Sequence, residues 1–128
     1  MMEPALFAFP DSDYLKEVKE YVHSQGALLI FDEMLTGYRF STHGAMDYFG
    51  VTPDLATFGK GIANGMPIGI IAGPEKHMRG FEQVFLSSTY GGDAVTLAAV
   101  KAGLEYHRKN KVVLHMWRIG KIVLDGFN

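Results

Sequence analysis

The run "ALLIFDE" at residues 27–33 is the feature that most limits what this chain can fold into. Apolar residues follow one another without alternation, and two carboxylates, Asp32 and Glu33, close the run. A strand wetted on one face alternates apolar and polar residues. An unbroken run is the pattern of a strand covered on both faces, as in parallel sheets layered between helices. The flanking segments agree. "DSDYLKEVKEYVHSQG" (11–26) reads as a helix with a start at Pro10 and Asp11, an apolar stripe of Leu15, Val18, Tyr21 and Val22, and a stop at Gly26. "DLATFG" and "PIGIIAG" read as two further strands separated by "KGIANGM". A short amphipathic segment, "EKHMRGFEQVF", precedes the strongest helical pattern, from Asp93 as N-cap to about Asn110, and residues 112–128 repeat the helical period. Residues 34–53 are irregular and rich in glycine and aromatics.

This order predicts an α/β layered fold with a largely parallel sheet. It supplies only three or four strands, one of them almost at the first residue, and too few helices to cover both faces. The chain is therefore expected to be a slice of a larger fold.

Composition narrows the function classes. The chain has 128 residues, enough for one domain and too few for two. A 48% hydrophobic content supports a packed core, and a net charge of −2 with interspersed signs offers no groove for nucleic acid and no basic face for an anionic membrane. "ALLIF" and "IGIIAG" are far too short to span a bilayer, and the N-terminus lacks a secretory pattern. The absence of cysteine excludes disulfides, thiolate zinc sites and cysteine nucleophiles, and is compatible with a cytoplasmic protein.

In open α/β sheets ligands collect at the carboxyl ends of the strands. Asp32 and Glu33 stand at that end of "ALLIF", and Lys60 stands just past "DLATF", between two glycines. A lysine amine attacks carbonyl compounds only when deprotonated, a state that a buried, positively polarised site favours. The competing structural readings are a solvated loop lysine and a turn-forming or capping aspartate. In "LSSTYGGD" (86–93), the hydroxyls of Ser88 and Thr89 with nearby amides could cradle a phosphate; the loop is equally an ordinary helix start, and Asp93 would repel an anion there. His43 and Asp47 have helical i, i+4 spacing but no third ligand, so no metal site is expected; Arg39 could clamp a carboxylate. There is no P-loop, nucleophile elbow or dinucleotide fingerprint.

Taken together and in order, "ALLIFDEMLTGYRF", "GVTPDLATFGKGIANGMPIG" and "STYGGDAVTLAAVKAGLEY" resemble the class III aminotransferases, pyridoxal-phosphate (PLP) enzymes of fold type I. The closer likeness is to the branch of glutamate-1-semialdehyde 2,1-aminomutase, an isomerase, and its relatives in surface-polysaccharide gene clusters. The resemblance implies part of the large PLP-binding domain, a three-layer α/β/α arrangement with a mostly parallel sheet, here incomplete. Residues 1–110 would be its central part, and 111–128 a helix leading toward a C-terminal small domain. It implies Lys60 as the Schiff-base lysine and proton shuttle, Asp32 as the partner of the pyridinium nitrogen, and Met34 as an apolar residue on the ring face. It implies that Thr89, with Ser88 beside it, reaches the cofactor phosphate of a neighbouring subunit, so that the parent works as a homodimer. The substrates would be small amines or amino acids and carbonyl acceptors.

Two departures stand out. Leu35 occupies a position where many members carry Gln, as the aminomutase branch tolerates, and Asp93-Ala94 replaces a common Asn-Pro. Relative to the family the chain would begin near a strand at Glu3 and Pro4 and lack an upstream phosphate loop and a ring-stacking aromatic. The alternative expectation is a non-catalytic truncated piece acting at most in dimerisation.

Overall fold

A computed structural model describes residues 10–127; the strand expected near Glu3 and Pro4 lies outside them. Helix α1 (Tyr14–Ser24) turns Leu15, Val18 and Val22 inward. Strands β1 (Ile30–Asp32), β2 (Leu55–Phe58) and β3 (Ile70–Ala72) form one sheet in that order. β1 and β2 run parallel, with Asp32 opposite Thr57, whereas β3 returns antiparallel to β2, with Phe58 opposite Ile70.

The first strand is shorter than its apolar run and less covered than an unbroken run predicts. Ile30 is 53% exposed, while Ala56 in the central strand is buried. The difference is one of neighbours: among the described residues β2 is flanked by a strand on both sides, whereas β1 pairs only with β2.

The core sits beside the sheet. Ile62, Ala63 and Val100 are buried together, with Tyr38, Phe58, Met66, Ile68, Ile70 and Leu104 packed around them. Val100 and Leu104 belong to α4 (Ala94–Asn110), so the longest helix presses on the turn that follows β2. Burying side chains such as Ile62 and Val100 stabilises the fold by about 1.5–3 kcal/mol each. Asp93 caps α4 as expected, its Oδ2 accepting from the Thr96 amide at 2.8 Å.

The connection from β1 to β2 contains a helix that the sequence pattern did not announce, α2 (Ala45–Phe49), too short to express a period. After β3 come a single turn, α3 (Glu75–Met78), and a 3-10 stretch at Arg79–Gln83. The last helix, α5 (Val112–Phe127), docks by Val113 and by Trp117. The Trp117 ring stacks on Tyr48 at 6.0 Å, and its Nε1–H donates to the Phe40 carbonyl at 3.2 Å. No helix among the described residues is long and apolar enough to cross a membrane.

A second anchor lies at the start of β2. The Asp54 carboxylate accepts from the Leu29 amide at 2.8 Å and meets His23 Nε2 of α1 at 2.7 Å, with His77 Nε2 of α3 at 3.8 Å. Through its hydrogen bond with His23, the aspartate ties α1 to the sheet.

Candidate active site at the carboxyl end of the parallel strand pair

The two carboxylates that close β1 point to different ends. Glu33 is 1% exposed. Its carboxylate accepts from the Ala45 and Met46 amides at 2.9 Å each and from the Thr36 hydroxyl, capping the N-terminus of α2 from twelve residues upstream. Gly44 permits this approach: a Cβ there would lie 2.7 Å from the carboxylate, and its φ of +89° is one that side chains rarely adopt. Glu33 is thus a structural acid. Successive strand residues face opposite ways, so Asp32 remains exposed. Its Oδ1 accepts from the Met34 amide at 3.1 Å and the Thr57 hydroxyl at 3.2 Å. Oδ2 receives no hydrogen bond among the described residues.

Lys60 stands two residues past the end of β2, at the same carboxyl edge as Asp32. Because Asp32 is the register partner of Thr57, the two Cα atoms are separated by about 16 Å at most. The backbone at Lys60 is itself left-handed, with φ of 43°, whereas Gly59 before it is extended. The flanking glycine therefore serves close approach rather than an unusual dihedral. A Cβ on Gly59 would collide with the Met34 side chain and lie 3.2 Å from the Ile68 carbonyl oxygen. Met34 accordingly lies across the strand end beside Lys60.

The turn is held from below. The Ile62 amide donates to the Gly59 carbonyl and the Asn64 amide to the Lys60 carbonyl, both at 3.1 Å, and Ile62 and Ala63 are buried against α4. With its followers buried, Lys60 is left exposed, so the described residues do not give the amine the buried setting that the sequence reading called for. A non-glycine residue in a sparsely populated backbone region, held by a packed turn, is a recurrent feature of functional sites. Arg39 lies along the same turn but spends Nη1 on the Leu35 carbonyl at 2.5 Å.

Ser88 and Thr89 are elsewhere. They line an open cavity of about 570 Å³ between Pro67–Ile71 and the start of α4, with Gly91, Gly92, Asp93 and Thr96. Neither Asp32 nor Lys60 lines it. Within one chain, then, the structure brings Asp32, Met34 and Lys60 to one edge and sets Ser88 and Thr89 apart. Sequence reasoning missed Thr57, whose signal was available: it lies three residues before Lys60, on the strand that pairs with "ALLIFD".

The chemistry of this donor set fits PLP. A carboxylate with one oxygen free suits a protonated ring nitrogen, a lysine amine is the group that condenses with an aldehyde, and an apolar side chain lies at the strand end near the amine. The comparisons with known proteins agree. The aminotransferase class-III family profile matches residues 6–128. Glutamate-1-semialdehyde 2,1-aminomutase of Methanococcoides burtonii is 36% identical over all of this chain and 32% of its own length. The enzyme of the same name from Halorubrum lacusprofundi is 39% identical over 98% of this chain and 30% of its own. Among solved structures, an S-selective transaminase from Arthrobacter sp. with alanine bound superposes with a TM-score of 0.73 at 29% identity, over 83% of this chain and 24% of that one. The taurine:2-oxoglutarate aminotransferase of Bifidobacterium kashiwanohense, in complex with PLP and glutamate, gives 0.79 at 26%, over 91% of this chain and 27% of that one.

This chain belongs to the class III aminotransferase family, whose members are PLP-dependent and share fold type I. It spans about a third of the length of the curated relatives it matches.

Proposed function

We propose that this chain forms part of a PLP-dependent enzyme that moves an amino group, an aminotransferase or a 2,1-aminomutase, with Lys60 as its reactive amine. The observation that supports this reading is that Asp32 and Lys60 stand at the same carboxyl edge of the parallel pair β1 and β2. When bound, PLP supplies an aldehyde carbon and a ring that withdraws electrons. Asp32 Oδ2 holds a proton at the ring nitrogen. Lys60 Nζ would hold the cofactor through its aldehyde carbon, with loss of water, and, displaced by the substrate amine, would take up the proton from the substrate carbon and return it. Met34 would supply an apolar contact to the ring face. Ser88 and Thr89, set apart from Lys60 within the chain, are assigned to the cofactor phosphate of a second copy, which makes a homodimer part of the proposal.

The aminomutase relatives favour a small amino-aldehyde or amino-acid substrate. A cytoplasmic setting and the division at residues 110 and 111 belong to the same proposal. A second reading, a non-catalytic piece acting at most in dimerisation, draws on exposed apolar side chains such as Phe85 and Phe127, 97% and 88% exposed.

One experiment separates the two. The purified chain is mixed with PLP, reduced with borohydride and mapped by mass spectrometry. A pyridoxyl adduct at Lys60, absent from Lys60→Ala, is the expected result. No adduct, or equal labelling of other lysines in both proteins, would leave only the second reading.

A further inference from the structure

We propose that Thr57 is the positioning residue for Asp32, resting on the reading above in which Asp32 faces the pyridinium nitrogen. The parallel register places Thr57 directly opposite Asp32, and the Glu33 amide donates to the Thr57 carbonyl at 2.9 Å, which fixes that pairing. Side chains opposite one another in paired strands share a sheet face. The Thr57 hydroxyl, the only donor on its side chain, reaches Asp32 Oδ1 at 3.2 Å, and the Met34 amide reaches the same oxygen at 3.1 Å. Both donors fall on one oxygen. An exposed aspartate otherwise turns freely about its two side-chain bonds; with Oδ1 held from two directions, Oδ2 becomes the oxygen offered to a ligand. The division has a consequence for affinity, because a carboxylate held in the binding orientation need not be ordered when the cofactor arrives.

The competing role for Thr57 is strand formation, since β-branched residues suit strands and Val would serve equally well. Two substitutions separate the roles. Thr57→Val keeps the shape and the strand preference and removes the donor; Thr57→Ser keeps the donor. The first readout needs no cofactor: three-bond NMR couplings that report the Asp32 side-chain rotamer in the full chain. The wild type and Thr57→Ser are expected to show one dominant rotamer, and Thr57→Val an average of several.

The second readout is PLP affinity by equilibrium titration. Thr57→Val is expected to weaken it roughly fivefold to tenfold, the net share of one exposed hydrogen bond, with recovery in Thr57→Ser. Asp32→Ala serves as the reference. Unchanged couplings in Thr57→Val overturn the proposal, as does an affinity that Asp32→Ala lowers and Thr57→Val leaves alone. If Asp32→Ala leaves PLP binding unchanged, or no binding occurs in any variant, it is the assignment of Asp32 to the ring nitrogen that fails. The couplings then still decide whether Thr57 holds the carboxylate.

Discussion

Replacing Glu33 by Gln tests how a distant carboxylate builds part of this fold. In the native chain its two oxygens accept from the Ala45 and Met46 amides at 2.9 Å each and from the Thr36 hydroxyl, at a position 1% exposed. Gln fills the same volume but keeps one carbonyl oxygen and turns an amide donor toward one of those N–H groups. One charge-assisted hydrogen bond is lost, and one backbone donor at the start of α2 is left unpaired. Hydrogen bonds to charged groups contribute about 1.5–3 kcal/mol, and an unsatisfied buried donor costs about as much as a lost bond. The expected loss is about 2–3 kcal/mol. With a urea dependence of about 2 kcal/mol per molar for a chain of this size, the unfolding midpoint should fall by about 1–1.5 M at neutral pH. Urea titration followed by far-ultraviolet circular dichroism measures it, and Thr36→Val, which removes a single donor, should shift it by about half as much. A Glu33→Gln midpoint indistinguishable from that of the wild type would refute the claim that this carboxylate caps α2.

Other expectations follow from particular contacts. Gly44→Ala drives a Cβ to 2.7 Å from the Glu33 carboxylate at a φ of +89°. It should destabilise by about 2–4 kcal/mol in the same titration, from backbone strain plus overpacking. Trp117 is the sole tryptophan. Trp117→Phe removes its bond to the Phe40 carbonyl at a cost of about 1 kcal/mol, and Phe40→Ala should red-shift Trp117 emission as α5 loosens. The hydrogen bond from His23, and then that from the Leu29 amide, hold the Asp54 carboxyl below its ordinary 3.8. A carboxylate pKa depressed by folding contributes stability that is present above the unfolded value and lost as pH falls through the folded one. The urea midpoint should therefore drop with acidification below about pH 3.8, and Asp54→Asn should flatten part of that drop. Asp93, held low by the Thr96 amide, supplies a share of the same slope.

Helices α1, α4 and α5 were legible because their signals are local. An apolar stripe at helical spacing and an aspartate before a helical run need no information from elsewhere. The strands around residues 30, 56 and 71 were legible for the same reason, as apolar runs between turn residues. α2 was not, because five residues express no period and their cap comes from Glu33. The coverage of β1 was overread: an unbroken apolar run records a strand's preference for burial, but burial depends on which elements actually lie beside it.

The candidate site divides in the same way. The sequence alone carried the family, through the order of "FDE", "GKG" and "SST", and it named Asp32 and Lys60. Tertiary structure alone decided that Glu33 turns inward to cap a helix while Asp32 turns outward, that Thr57 is Asp32's partner, and that Ser88 and Thr89 stand at a separate cavity across β3. Each of those outcomes rests on contacts between residues twelve or more positions apart, or on a face chosen by strand register. A register shift of one residue would exchange the two carboxylates between faces. Nothing in the local order of residues specifies that register; the packed turn after Lys60 and the backbone pairing of β1 with β2 do.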